Sequence, residues 1–175
     1  MAKKKDEKTN VMRILDQKKI PYTPHFYEEA GGPEGTRDYG VHVALALGQE
    51  PERAFKTLVA RGASGGYYVF DLPTPDSLDL KKAAKAAGEK SVELLAVKDI
   101  TAVTGYVRGG CSPVGMKKPY PAIFHQTALD YATIYVSAGK IGAQVEVEPR
   151  ALLDLLGART ADIAAPRPAE GEKCP

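Results

Sequence analysis

Two apolar runs, AFKTLVARG at residues 54–62 and YYVFDLP at residues 67–73, are separated only by ASGG. Each run has the length and the β-branched and aromatic content of one strand. The four residues between them are rich in turn formers. Strands joined this closely pair antiparallel, so residues 54–73 form a hairpin, the clearest in the chain.

The rest of the sequence is read around that hairpin. Asn10 can cap a helix whose Val11, Ile14 and Leu15 share one face, ending before Pro21. YTPHFYEE reads as a strand and AGGPEG as a loop; residues 38–47 read as a helix with Val41, Ala44 and Leu45 inward and Gly48 as terminator. DLKKAAKAAG is a short helix capped by Asp79 and stopped by Gly88, and residues 98–103 suit another. PAIFHQTAL, TIYVSAG and AQVEVEP are strand-like, and PRALLDLLG closes as a helix between Pro149 and Gly157. No βαβ rhythm and no internal repeat runs through this order. The fold class is therefore α+β, with a mostly antiparallel, barrel-like sheet flanked by helices. The length of 175 residues suits a single domain, read as residues 10–165. Residues 1–9 and 166–175 are polar, without apolar period, and read as disordered tails.

Charge narrows the function. The net charge is only +2, so any nucleic-acid contact must come from a local basic patch. No apolar run approaches the ~20 residues that span a bilayer, and no signal peptide opens the chain, so the expected location is cytoplasmic, without a membrane partner. Two cysteines, Cys111 and Cys174, make no disulfide framework. With no C-x-x-C and no H-E-x-x-H, no metal or other cofactor is implied.

Two places invite a ligand. Strand alternation puts Phe55, Thr57 and Val59 on one face and Lys56 and Leu58 on the other. Lys56 is then either a cation waiting for a phosphate or oxyanion, or an exposed lysine on a two-sided strand; pattern alone favours the second. The stretch TGYVRGGCSPVGMKK, residues 104–118, cannot be a regular helix or strand. Its Gly105, Gly109 and Gly110 let main-chain N–H groups approach an oxygen, Ser112 adds a hydroxyl, and Arg108, Lys117 and Lys118 set positive charge at its edges. The plainer alternative is a long surface turn. Cys111 has the chemistry of a nucleophile, but spacing does not show that any of His25, His42 or His125 meets it, and a small buried residue is the preferred reading. YVSAGKIG, with Ser137 and Lys140, is a second glycine-rich turn.

FKTLV, LDLKKAAKAAGEKSVEL, TGYVRGGCSPVGMKK and IYVSAGKIG occur in this order, and together they closely resemble the YbaK family of aminoacyl-tRNA editing proteins. These are relatives of the editing domain inserted in bacterial prolyl-tRNA synthetase. The likeness covers about residues 10–163. It implies a free-standing deacylase that removes cysteine from mischarged Cys-tRNA(Pro), and in some members from Cys-tRNA(Cys). It puts the family's essential lysine on Lys56 and its threonine on Thr57. The pocket tyrosine falls on Tyr27, the glycine pair on Gly109 and Gly110, and the serine on Ser137. Gln144 stands where some relatives carry aspartate, and Cys111 follows the glycine pair at a position that varies in the family, beside Ser112.

The implied mechanism is substrate-assisted: the cysteinyl thiol attacks its own ester carbonyl and the ribose hydroxyl leaves. The protein then supplies position and charge, with Lys56 on the phosphate or ribose side, the Gly109–Gly110 amides on the carbonyl, and Tyr27, Ser137 and Gln144 on ammonium and hydroxyls. A basic rim of Lys81, Lys82, Lys85, Arg108, Lys117, Lys118 and Lys140 would follow the acceptor end of tRNA, with prolyl-tRNA synthetase as the implied helper for tRNA choice. Rival readings are a deacylase for another small residue, such as Ala-tRNA(Pro), or a module that binds aminoacyl-tRNA or a nucleotide without turnover.

Overall fold

The computed structural model describes residues 8–28 and 39–166. The glycine-rich loop AGGPEG, Asp38, Cys174 and almost all of both expected tails lie outside the described residues.

Helix α1, Asn10–Gln17, is capped one residue earlier than expected: Thr9, not Asn10, is the N-cap, its side chain accepting from the Met12 N–H. Strand β1, Tyr22–Phe26, is followed by α2, Tyr39–Ala46, and a 3-10 turn, Pro51–Arg53. The hairpin forms as β2, Phe55–Gly62, and β3, Tyr67–Pro73, in antiparallel register with Lys56 opposite Leu72 and Thr57 opposite Asp71. Helix α3, Leu80–Ala87, has Asp79 accepting from the Lys81 and Lys82 N–H groups and Gly88 as its left-handed terminator. Then come β4, Val92–Leu94; α4, Val97–Thr104; β5, Ala122–His125; β6, Ile134–Ser137; β7, Ala143–Val147; α5, Pro149–Leu156; and β8, Arg159–Ala161.

The strands make two sheets, β1-β7-β6 and β4-β2-β3-β5-β8. Four of the six pairings are antiparallel; β3–β5 and β5–β8 are parallel. The expected mixed, mostly antiparallel α+β fold is present, but it is not a closed barrel. Among the described residues the one β-bridge between the sheets is Ala54 to Tyr135, so no continuous ladder runs round.

Alternation along β2 and β3 divides the core. Phe55, Val59 and Val69 join a cluster with Phe124, Ile134, Val145, the α1 residues Val11 and Leu15, and Leu152 of α5. Ala60, Phe70 and Leu72 face the other way, onto Ala83 and Ala84 of α3 and Ile123 and Ile163. The larger sheet is therefore buried on both faces, which explains why its central strands read as continuous apolar runs. Among the described residues, no helix is long and apolar enough to cross a membrane.

Candidate functional site

β4 covers β2 only from Ala60 to Gly62, and the bridge to the other sheet is made at Ala54. Between those contacts the outer edge of β2 has no strand partner among the described residues. The Leu95 N–H closes its far end by donating to the Val59 carbonyl at 3.0 Å. A cavity of about 550 Å³ opens along this uncovered edge. Because an edge exposes both faces of a strand, Lys56 and Thr57, which point opposite ways, both line it.

Lys56 is half-buried, and its ammonium donates to the Thr74 carbonyl at 3.2 Å. Thr74 is itself held by its N–H on the Ala54 carbonyl and its hydroxyl on the Pro51 carbonyl. The same cavity is lined by Arg108, Gly109 and Cys111 from the loop, Ser137 at the end of β6, Gln144 in β7, and Tyr27 just after β1. Leu78, Leu80, Leu94, Val97 and Ile100 make an apolar flank, of which Leu80, Leu94 and Val97 are exposed.

The loop sorts its residues. Gly109 adopts φ +86°, a left-handed conformation that turns the chain into the cavity wall. Gly110 is buried behind that wall, and its N–H is taken by the Val107 carbonyl at 3.0 Å. An added Cβ on it would lie 3.0 Å from the Ile141 nitrogen and 3.1 Å from the Lys140 carbonyl carbon. Its role here is close packing of two loops, and the cavity-lining positions are its neighbours, Gly109 and Cys111. Ser112 is fully buried and accepts from the Val114 N–H at 3.3 Å, holding the turn instead of lining the cavity. Lys117, Lys118 and Lys140 lie off the lining; the Lys117 ammonium donates to the Ala102 carbonyl. On α3, Lys82 pairs with Asp162 at 2.9 Å, while Lys81 and Lys85 are exposed.

Cys111 is no poised nucleophile. Burial first, and then the nearby Asp71 carboxylate, push its thiol up to about 12, against a hydrogen bond with Thr104 that favours the thiolate. None of the three histidines lines the cavity; His25 meets Glu146 at 2.8 Å, and His125 lies 2.8 Å from the Thr127 hydroxyl. Gln144 is buried, and its side-chain carbonyl accepts from the Gln49 amide at 2.9 Å. Among the described residues, no three His, Cys, Asp or Glu side chains gather as metal ligands.

Two partners of the site escaped the sequence reading. Gln49 is one; it gave no signal, lying in the turn after α2. Asp71 is the other: an acid in the middle of YYVFDLP, between Phe70 and Leu72, where an apolar residue is the norm. That misfit was the available signal.

The description of the aminoacyl-tRNA editing domain matches residues 34–155 of this chain. A protein of Enterococcus faecalis (strain ATCC 700802 / V583), EbsC, named as a candidate Cys-tRNA(Pro)/Cys-tRNA(Cys) deacylase, is 48% identical over 164 residues, 93% of this chain and 98% of its own. Among solved structures, a candidate trans-editing enzyme for prolyl-tRNA synthetase superposes with a TM-score of 0.75 at 24% identity, over 92% of this chain and 100% of that one. A hypothetical protein gives 0.79 at 24% identity, over 90% of this chain and 100% of that one. At that identity the two structures speak for the fold.

Proposed function

The chain belongs to the aminoacyl-tRNA editing domain family, and from that premise we propose that it removes cysteine from mischarged Cys-tRNA(Pro), and from Cys-tRNA(Cys), by substrate-thiol-assisted cleavage of the ester. The observation that carries this reading is that Lys56, Gly109 and Cys111 line one cavity.

The chemistry needs little more. An aminoacyl ester is already activated, and a cysteinyl group brings its own nucleophile. The protein's share is to fix the reacting atoms and to neutralise developing charge. Lys56 holds the ribose or terminal-phosphate side. The N–H groups of Gly109 and Cys111 face the ester carbonyl as oxyanion donors, since that of Gly110 is taken. Tyr27, Ser137 and Gln144 orient the ammonium and the ribose hydroxyls. Arg108 meets the acceptor-end phosphates at the mouth, with Lys117, Lys118 and Lys140 further out. A raised Cys111 thiol supports leaving the nucleophile to the substrate. Selection of tRNA(Pro) is supplied by prolyl-tRNA synthetase as partner, because a cavity of this size reads the acceptor end only.

The test is incubation of the protein with Cys-tRNA(Pro), Cys-tRNA(Cys) and Ala-tRNA(Pro), following ester loss and trapping a cyclic thiolactone. Rapid loss from the cysteinyl esters with thiolactone, and slow loss from the alanyl ester, is the expected result. Binding without release overturns the proposal in favour of a non-catalytic module, and preference for the alanyl ester in favour of the other deacylase.

A further inference from the structure

A buried acid stands behind the cavity wall, unused by the mechanism above. Asp71, in β3, is 0% exposed. Across the β2–β3 pair, the Thr57 hydroxyl donates to Asp71 Oδ1 at 2.6 Å, and Asp71 Oδ2 is buried with no hydrogen-bond partner among the described residues. Asp71 does not itself line the cavity, whereas Thr57 and Cys111 do. One hydroxyl thus connects the cavity to an enclosed carboxyl group. A carboxyl so placed is costly to bury, and packing gives no reason for it.

The cleavage leaves one need open. Only a thiolate attacks efficiently, and an ordinary thiol, with a pKa of about 8.5, is mostly protonated at neutral pH. Something must take the proton. Lys56 carries an ammonium, the Cys111 thiol is held protonated, and no histidine lines the cavity.

We propose that Thr57 and Asp71 form a relay that takes the proton of the substrate's thiol. This rests on the deacylase reading above. The substrate's S–H bond breaks as its hydrogen moves to Thr57 Oγ1, and the hydrogen already on Thr57 moves to Asp71 Oδ1. The sulfur forms its bond to the ester carbonyl carbon, the carbon–oxygen bond to the ribose breaks, and the ribose oxygen takes a proton back along the same path. Reactant and products differ only in connectivity, and the relay ends as it began. Thr57 touches the substrate; Asp71 acts through it, as a positioning residue that also stores the proton.

The electrostatics agree with the geometry. Burial pushes the Asp71 carboxyl up to about 8, with the Thr57 bond pulling it down, so its affinity for a proton is close to that of a thiol. The groups facing it are Thr57 from β2, Cys111 from the loop and the apolar Phe124 from β5. The carboxylate raises the Cys111 thiol, which keeps that neighbour uncharged over the working range.

The experiment is single-turnover deacylation of Cys-tRNA(Pro) from pH 6 to 9 by the whole chain and its Asp71→Asn, Thr57→Val and Thr57→Ser variants, each checked for folding by circular dichroism. The parent rate should rise with pH with its midpoint near 8. Asp71→Asn keeps the acceptor for Thr57 but no basic oxygen; it and Thr57→Val should each lose about 10²-fold, Thr57→Ser should retain most of the rate, and the double variant should be no worse than either single. A selenocysteinyl ester, whose nucleophile is already deprotonated at neutral pH, should restore the rate of Asp71→Asn. A folded Asp71→Asn protein with the parent's rate and pH profile overturns the relay while leaving the deacylase reading intact. A parent inactive on Cys-tRNA overturns both. Loss of rate that selenium does not restore overturns the relay in favour of a structural role.

Discussion

The Lys56 ammonium donates to the main-chain carbonyl of Thr74 at 3.2 Å, fastening the cation of β2 to the turn that follows β3. This bond fixes the position of the ammonium at the cavity wall. Lys56→Ala should lower single-turnover deacylation of Cys-tRNA(Pro) by at least about 10²-fold, the scale of losing one group that stabilises developing charge. Lys56→Arg should recover little of it, because a planar fork does not reproduce a compact ammonium at one fixed point.

Cys111→Ala should leave deacylation active. The substituted side chain is smaller, its main-chain N–H is unchanged, and the thiol removed is one that stays protonated at neutral pH. Abolished activity in a folded Cys111→Ala protein would return the enzyme's own thiol to the mechanism.

Gly110→Ala tests the packing behind the wall. Its Cβ would press on the main chain at Lys140 and Ile141, which cannot yield as a side-chain end can. Destabilisation of roughly 1–3 kcal/mol, read from denaturant unfolding, should accompany lost activity. Gly88→Ala, at φ +74° with nothing within 4 Å, is the comparison: it should cost about 1 kcal/mol and leave the rate alone.

Asp71 also sets a pH dependence of stability. Its carboxyl is raised from 3.8 to about 8 in the folded protein, so between those values the unfolded chain is ionised while the folded one holds its proton. Stability from this group is full below about pH 4 and falls as pH rises towards 8, with a limiting slope of about 1.4 kcal/mol per pH unit. Asp71→Asn should flatten that fall and raise Tm at pH 8, even as it slows the reaction. Thermal unfolding of both proteins from pH 4 to 9 checks this.

Glu146 behaves oppositely. The Thr133 hydroxyl, then His25 and Arg53, hold its carboxyl below the usual range. Its contribution is present above the ordinary carboxylate pKa and is lost as pH falls through the lowered one. Glu146→Gln should therefore lower Tm slightly at pH 7 and converge with the parent under acid, measured by the same unfolding.

Much of this was legible beforehand because local signals agreed. The β2–β3 hairpin, the Asp79 and Gly88 caps of α3, and the Pro149–Gly157 bounds of the last helix each follow from turn and cap chemistry. β4 and β8, three residues each, are too short to show a period, and they exist by pairing with distant partners. The sheet's failure to close is likewise a long-range matter, decided by one bridge at Ala54. Within the site, Lys56, Gly109 and Ser137 were marked by motif, and pairing brings them to one cavity. Gly110 and Ser112 carry the same motif but are turned inward by hydrogen bonds that spacing does not reveal. Asp71 was hidden by its apolar neighbours.

Strand β2 gives Phe55 and Val59 to one apolar cluster and Leu58 and Ala60 to the other. The segment that bears Lys56 and Thr57 is thus clamped from both sides, so it cannot loosen unless both clusters come apart together. Those of its amide hydrogens that bond to β3 should accordingly trade with deuterium only in whole-molecule openings, leaving the groups proposed to act on the substrate on a slow-breathing strand.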